Sequence, residues 1–211
     1  FTEIFNSQNG EKFDYKQYSN AIPSINSPQI SAKKIKDLKT DWIIIGWQTA
    51  GVQNQKDYAT LQVIDALLGT GMSSRLFKNL RDADGLAYQL GSEYGPNVLK
   101  VAFIVYIGTN PENLNLAQSR LFEEVNRLKR EFVGSKELQE AKDKLLGHFV
   151  IAQETNLDKA STIGWFETSG RGYQFDNDYE KLINSVTESD IIEAANKYFN
   201  NNYVLSIVKP Q

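Results

Sequence analysis

The stretch "DWIIIGWQT", residues 41–49, is nearly continuous in apolar residues from Trp42 to Trp47. A short apolar run that is rich in isoleucine and bounded by polar residues indicates a central strand of a sheet. Residues 30–38 upstream are also strand-like. The intervening "LKTD" predicts a turn, so we expect the two stretches to form a β-hairpin.

Helical and strand-like patterns occur in blocks along the rest of the chain, and they do not alternate strictly. The predicted helices span residues 57–71, 74–81, 111–132, 135–170, 176–185 and 190–199, and the later predicted strands span residues 86–94, 98–108 and 202–210. This order predicts an α+β fold, with two layers, a mostly antiparallel sheet and helices packed on one face.

Local signals predict where several of these elements begin, turn or bend. Gly85 can supply a left-handed turn behind the short second helix. Thr187 and Asp190 have the spacing of a capping box at the start of the last helix. The long helical stretch over residues 135–170 is expected to kink near Asn156 or Gly164.

The 211 residues have the composition of one globular domain, and a chain of this length can bury a sufficient core without disulfide bonds. We expect residues 1–28, which are polar and carry turn residues, to be a linker or extended arm, and residues 29–211 to be a single domain. Because the chain begins with Phe1, it is expected to be a processed or excised part of a longer one.

Composition and charge exclude several classes of function. The chain has no cysteine, which excludes disulfides and thiolate zinc sites. A net charge of −3 with scattered lysines and arginines disfavours nucleic acid as a partner. The strongly apolar run at residues 42–47 is far too short to span a membrane. We therefore expect a soluble protein, and its compartment, cytoplasm or periplasm, stays open.

His148 and the glycine loop "GTGMSSRL", residues 69–76, are the first candidate sites. A zinc-binding helix needs a second histidine one turn away, and His148 is the only histidine, so we expect a structural or surface residue. The loop follows a helix rather than a strand and lacks the lysine of a phosphate-binding loop. A tight helix–helix turn is favoured, and Arg75 within it fits either an internal ion pair or a ligand contact.

Two pairs of acidic residues, Glu123–Glu124 and Glu137–Glu140, offer candidate catalytic carboxylates. Adjacent residues on a helix do not face one another, and both pairs lie on helices rich in lysine and arginine. We therefore expect both pairs on a solvated helix face. The tryptophans are expected in the core rather than on a binding platform: Trp42, Trp47 and Trp165.

The stretch "LRDADGLAYQLGSEYG", residues 80–95, places Arg81 and Tyr88 on the two sides of a predicted helix end. A solvated cation at the helix end and a half-buried strand tyrosine would explain both residues without any function. A guanidinium and a phenol at such a junction could equally bind a peptide carbonyl by hydrogen bonds. The spacing alone leaves both alternatives open.

Four features in this order carry a family resemblance: the glycine loop, the S-R-L helix, R-x₆-Y with G-L-A-Y, and E-L-x-x-A-K. Over about residues 30–209 the chain resembles the non-catalytic half of an inverzincin peptidase, the family of pitrilysin, insulin-degrading enzyme and the mitochondrial processing peptidase. The resemblance implies the metallohydrolase fold of LuxS and the mitochondrial processing peptidase. One half in this family carries H-x-x-E-H, in which two histidines hold zinc and the glutamate activates water.

The resemblance also implies which part of an enzyme this chain supplies. The chain has no H-x-x-E-H, so no cofactor is expected in it, and zinc is expected on a homologous half in the same polypeptide or on a separate subunit. The R-x₆-Y motif implies substrate binding by Arg81 and Tyr88 and a catalytic role for Tyr88. The implied function is the substrate-binding half of a zinc-dependent metalloendopeptidase acting on peptides. A catalytically inactive structural or assembly subunit is the alternative, and a homodimer also stays open.

Overall fold

A computed structural model describes residues 22–95 and 97–211. The described residues form one five-stranded sheet in the order β1-β5-β2-β4-β3. Its strands are β1 (Gln29–Ile35), β2 (Asp41–Thr49), β3 (Ala87–Tyr94), β4 (Val101–Thr109) and β5 (Tyr203–Pro210). All neighbouring strands are antiparallel except β1 and β5, which are parallel. The prediction that "WIIIGWQT" forms a central strand is confirmed, since β2 lies between β4 and β5.

The predicted hairpin between β1 and β2 is wrong. β5 lies between these two strands, with Val204 opposite Gln29 of β1 and Ile207 opposite Ile43 of β2. Every residue of β1 is exposed, so this strand suits an edge of the sheet and cannot supply the apolar neighbour that β2 requires. The C-terminal strand supplies that neighbour instead.

Six α-helices occur in the described part of the chain. They are α1 (Gln55–Leu68), α2 (Leu114–Arg127), α3 (Ser135–Ile151), α4 (Asn156–Thr168), α5 (Phe175–Asn184) and α6 (Glu188–Tyr198). A π-helical segment (Phe77–Ala83) follows α1, and a 3₁₀ turn (Pro111–Asn113) precedes α2. The predicted capping box of Thr187 and Asp190 is present at the start of α6. The α+β fold class is confirmed.

Two predicted helices have different ends in the structure. The long stretch predicted over residues 135–170 is two separate helices, because the Thr155 hydroxyl accepts a hydrogen bond from the Asp158 N–H at 3.2 Å and caps α4. The helix predicted to reach Phe132 ends at Arg127. The turns that follow it bury Leu128 and Val133 in the core while Phe132 remains exposed. Thus a local cap and the burial of two side chains outweigh the helical pattern.

The core lies between the helices and one face of the sheet. Ile43, Ile45 and Trp47, which alternate along β2, are all buried on this face. Trp47 is anchored there by a hydrogen bond from its Nε1 to the Asn200 carbonyl at 3.0 Å, and its ring centroid lies 5.2 Å from that of Phe199. The predicted core position of Trp47 is confirmed.

The opposite face of the sheet is less covered and is called the open face below. It consists of Trp42, Ile44, Gly46 and Gln48 of β2 with Ala102, Ile104 and Tyr106 of β4. Ile44 at its centre is 38% exposed. The chain passes over this face before β1, where the Gln48 side chain donates from Nε2 to the Pro23 carbonyl at 3.0 Å. Residues 1–21 of the predicted arm lie outside the described residues, so its boundary at residue 28 stays a prediction.

Candidate functional site

The candidate site begins at the π-helical segment Phe77–Ala83. The short helix predicted there exists, but its turns are wider than those of an α-helix, because the Asp84 N–H donates to the Asn79 carbonyl, five residues back, at 3.0 Å. The Leu86 N–H donates to the Leu80 carbonyl at 2.8 Å and closes the end of the segment. π-Helical turns are rare and occur frequently at functional sites.

The chain leaves this segment through Gly85, whose φ is 65°. A Cβ added at Gly85 would meet no atom within 4 Å, so the backbone conformation, and not a lack of space, requires glycine. The predicted left-handed turn is confirmed. Thr109 then fixes the start of β3, because its hydroxyl donates to the Leu86 carbonyl at 2.7 Å and both residues are buried.

A β-bulge at the start of β3 carries Tyr88. Ala87 pairs with Thr109 and Gln89 pairs with Gly108, so Tyr88 is the extra residue between two consecutive pairs. Its side chain is 88% exposed, and its hydroxyl forms no hydrogen bond within the part of the chain that the structure describes. A phenol presented in this way can meet a ligand.

Arg81 is held beside the bulge by a backbone carbonyl and an aromatic ring. Its Nη1 donates to the Tyr88 carbonyl at 3.1 Å, and its guanidinium carbon lies 4.5 Å from the centroid of the Phe77 ring. The described residues contain no ion pair to Arg81, and the nearby Asp84 carboxylate accepts from Arg120 at 2.7 Å instead. The two candidate residues therefore meet through the backbone of Tyr88, which leaves guanidinium N–H groups and the phenol available.

Both side chains line a cleft of about 450 Å³. The other lining residues are Trp42, Gly69, Gly71, Met72, Phe77, Gln89, Leu90 and Tyr106. Among the described residues that line the cleft, none is acidic and Arg81 alone carries a charge. A concavity of this size, lined about equally by polar and apolar surface, is large enough to hold part of a ligand.

The glycine loop forms one side of the cleft and is a tight helix–helix turn, as predicted. Gly69 ends α1, and a Cβ added there would lie 1.9 Å from the Ser92 nitrogen, so only glycine allows this close approach to β3. Asp65 accepts a hydrogen bond from the Ser92 hydroxyl at 2.5 Å, and the Lys144 ammonium donates to the Thr70 carbonyl at 2.7 Å. Burial raises the pKa of Asp65 and lowers the pKa of Lys144. These contacts hold the loop against the sheet.

Arg75, Glu124 and Glu137 belong to internal ion pairs and not to the cleft, whereas Glu123 and Glu140 are exposed, as predicted. Arg75 is 9% exposed and donates from Nε and Nη2 to the two Glu137 carboxylate oxygens at 2.7 and 2.8 Å. These hydrogen bonds hold the pKa of Glu137 below its ordinary value. The Glu137 side chain remains 38% exposed. The predicted solvated face is wrong for Glu124, which is 1% exposed and accepts from Asn79 at 2.9 Å and Arg127 at 3.1 Å.

His148 is exposed on α3 and does not line the cleft. Within residues 22–95 and 97–211, no three histidine, cysteine, aspartate or glutamate side chains are grouped so that they could hold a metal ion. The described residues therefore do not fit a zinc site. In the same residues no helix combines the length and the apolar character needed to cross a bilayer.

Trp42 and Tyr106 are cleft residues that the sequence did not identify. The sequence predicts Trp42 and Trp165 in the core; both are half-buried, but Trp165 packs against the core whereas Trp42 lines the cleft. Trp42 and Tyr106 could have been identified from the residue opposite each of them on the neighbouring strand. Gly108 pairs with Trp42, and Gly91 pairs with Tyr106. Glycine inside a strand often marks a site where another group approaches closely.

Residues 3–145 match the family model described as the peptidase M16 inactive domain. A protein of Rickettsia bellii named as an uncharacterized zinc protease is 29% identical over 175 residues, which cover 83% of this chain and 42% of that protein. A Bacillus subtilis protein named as a probable inactive metalloprotease is 27% identical over 165 residues, covering 77% of this chain and 37% of that protein. The chain thus spans about two fifths of the length of these relatives.

A solved structure shows the same fold. The structure of a protease from Helicobacter pylori matches with a TM-score of 0.80 at 23% identity, covering 89% of this chain and 45% of that one. The family model itself covers more than half of this chain. The resemblance to the non-catalytic half of inverzincin peptidases is confirmed, and the chain belongs to the family of the peptidase M16 inactive domain.

Proposed function

We propose that this chain is the substrate-binding half of a zinc-dependent metalloendopeptidase, and that a homologous half with the H-x-x-E-H motif and the zinc closes the peptide cleft from the other side. The observation that carries the proposal is the pairing of Arg81, which has no carboxylate partner among the described residues, with the exposed phenol of Tyr88 on one cleft. The greater length of the relatives supports a second half.

The arrangement suits the recognition of a peptide carbonyl group. One Nη of Arg81 is occupied by the Tyr88 carbonyl, so the remaining N–H groups can donate to a substrate carbonyl oxygen. The Tyr88 hydroxyl can donate to such an oxygen as negative charge develops on it. The Phe77 ring and the Tyr88 carbonyl already orient the guanidinium, which lowers the entropy cost of ordering Arg81 when a peptide binds.

A catalytically inactive structural or assembly subunit is the second candidate function. It is favoured by the direct contact between Arg81 and Tyr88, which involves the Tyr88 carbonyl and not its phenol. The description of the Bacillus subtilis relative as inactive supports the same alternative. Such a subunit could assemble with a different half or as a homodimer, and it would not change the rate of peptide hydrolysis.

Supplying the zinc-bearing half separates the two candidates. The half is provided either as a separate subunit or as the longer polypeptide, and cleavage of an internally quenched peptide is followed by fluorescence. We expect the assembly to hydrolyse the peptide, a chelator to abolish hydrolysis, and added Zn²⁺ to restore it. The 211-residue chain alone should remain inert.

The matched control is an assembly that carries Arg81→Ala and Tyr88→Phe together. It should form as tightly as the wild-type assembly, measured by sedimentation, but it should have lost most of its hydrolysis. Wild-type hydrolysis in this control, or none in the wild-type assembly, would support the structural subunit instead.

A further inference from the structure

Trp42 and Tyr106 form an aromatic platform on the open face of the sheet, where both line the cleft. Their ring centroids are 6.5 Å apart and their planes are inclined by 35°. Both residues are half-buried, so part of each ring remains accessible from the cleft. The platform lies beside Arg81 and Tyr88 and takes no part in the carbonyl recognition proposed above.

Two glycines allow the platform to lie close to the sheet. A Cβ added at Gly108, the cross-strand partner of Trp42, would lie 3.2 Å from atoms of the indole ring. A Cβ added at Gly91, the partner of Tyr106, would lie 2.9 Å from the phenol oxygen. Any larger residue at these positions would push the rings away from their present places. Both rings are therefore positioned by their opposite strands and not only by their own rotamers.

The polar atoms of the platform have no partner in the described part of the chain. Neither Nε1 of Trp42 nor the hydroxyl of Tyr106 forms a hydrogen bond there. Tryptophan and tyrosine that serve only to fill a core usually find a partner for these groups. A free donor on each ring could instead bind the backbone of a peptide that lies across the platform.

The charge of the cleft selects against cationic side chains, and one flexible apolar residue borders the platform. No carboxylate is present among its described lining residues, and the guanidinium of Arg81 would repel lysine or arginine. Met72 at the cleft is 75% exposed, and its flexible side chain can adapt to an apolar group. A volume of about 450 Å³ is sufficient for a large side chain.

We infer that the aromatic platform is the subsite for a large apolar side chain of the bound peptide, above all an aromatic one. The inference rests on the proposed function for the presence of a peptide, and it adds the class of side chain that the peptide must carry. Aromatic rings prefer offset or edge-to-face contacts with other aromatic rings, and the inclined pair of Trp42 and Tyr106 offers both surfaces.

The test measures peptide binding to the assembled protein with a chelator present, so that no peptide is cleaved. Blocked pentapeptides of alanine carry a single central Phe, Leu, Ala, Lys or Glu, and Kd is measured by calorimetry. We expect the Phe peptide to bind about 10-fold or more tightly than the Ala peptide, with Leu between them and Lys weakest. In Trp42→Ala and in Tyr106→Ala the preference for Phe over Ala should fall close to parity.

Trp165→Ala is the matched control, because Trp165 is also a half-buried tryptophan but does not line the cleft. It should retain the full preference for Phe. A second measurement avoids any loss of folding in the variants: NMR of the wild-type protein, with its three indole N–H signals, during titration of the Phe peptide. The Trp42 signal should shift, and those of Trp47 and Trp165 should not.

Equal binding of the Phe and Ala peptides, tighter binding of the Glu peptide than of the Phe peptide, or an unmoved Trp42 signal would overturn the inference. The proposed function fails separately. A preference for Phe in an assembly that never cleaves peptide after zinc is restored would keep the subsite and reject the peptidase. Cleavage without any preference that depends on Trp42 would keep the peptidase and reject the subsite.

Discussion

Arg75 and Arg81 lie six residues apart, the first just before the π-helical segment and the second within it, and their surroundings differ in every respect that matters for function. Arg75 is 9% exposed, and both oxygens of one carboxylate accept its hydrogen bonds. Arg81 lies on a cleft, where a backbone carbonyl and the face of an aromatic ring hold it in place. Arg75 is neutralised by its own chain, whereas Arg81 has no carboxylate partner among the described residues and keeps N–H groups for a ligand.

The difference shows that the position of the nearest carboxylate decides whether an arginine stabilises the fold or is available to bind a ligand. Glu137 on α3 reaches Arg75, whereas Asp84, which is close to Arg81 in sequence, is drawn to Arg120. An arginine whose charge is neutralised by a carboxylate contributes to stability, and truncating its partner leaves a buried charge. An arginine without such a partner contributes little to stability and can contribute to binding.

Tyr88→Phe should give the largest effect, and it tests the candidate site that contains Arg81. In the assembly with the zinc-bearing half, we expect kcat to fall about 10²–10³-fold, as when one oxyanion donor is removed, with KM nearly unchanged. The substitution removes one hydroxyl that has no partner among the described residues, so the fold should be unaffected. Steady-state kinetics decides the matter, and wild-type turnover in this variant would remove Tyr88 from the mechanism.

Glu137→Ala should break the ion pair that neutralises Arg75. Arg75 would be left buried without its carboxylate, and we expect a loss of about 1–3 kcal/mol in the free energy of unfolding, since the partial exposure of Glu137 limits the cost. Urea denaturation measures the change. Glu140→Ala is the control, because the one ion pair of this exposed residue among the described residues is a distant one to Lys136 at 3.8 Å, and it should cost less than about 0.5 kcal/mol.

Gly85→Val should break the turn that brings Arg81 beside the bulge. A β-branched residue at φ 65° is strained, so we expect a loss of about 1–3 kcal/mol in the free energy of unfolding. Gly134→Ala is the control, since φ there is −58° and an added Cβ would meet no atom within 4 Å. If thermal denaturation gave equal melting temperatures for Gly85→Val and wild type, the turn would not need its left-handed conformation.

The pH dependence of stability should also distinguish the two arginines. Arg75 lowers the pKa of Glu137 in the folded state below its ordinary value of 4.5, so this pair stabilises the protein above that pH. The contribution is lost as pH falls below 4.5 through the pKa of the folded state. In Glu137→Gln the free energy of unfolding, measured with urea, should therefore fall less than in the wild type as the pH is lowered through 4.5. In Arg81→Ala its pH dependence should be the same as in the wild type. An unchanged profile in Glu137→Gln would contradict this account.

Arg81→Ala should give the smallest change in stability. Because no carboxylate of the described residues pairs with Arg81, we expect the free energy of unfolding to stay within about 0.5 kcal/mol of wild type. In the assembly the same variant should raise KM, since a contact to the ground-state carbonyl acts before the chemical step. A large drop in melting temperature would instead make Arg81 a structural residue.

Part of the candidate site could be predicted from the sequence and part could not. The resemblance pointed to Arg81 and Tyr88, and the structure places both on one cleft, while their role in binding and catalysis stays a prediction. Trp42 and Tyr106 were beyond sequence reasoning because an aromatic residue in an apolar strand has the same local pattern whether it faces the core or a cleft. Only the pairing of β2, β3 and β4 shows which glycine lies opposite each ring.

The sequence by itself determined most of the elements and several of their ends, although it joined α3 to α4 and extended α2 beyond Arg127. Periodicity, the capping box at Thr187 and the turn at Gly85 depend only on residues that are close in the chain. Such signals can therefore be recognised in the sequence without knowledge of the fold. Only the tertiary structure decided that β5 separates β1 from β2, that Glu137 neutralises Arg75, and that Trp42 faces the cleft. Each of these depends on a partner distant in the chain, 62 residues away for Glu137, and such contacts are selected by the packing of the whole core.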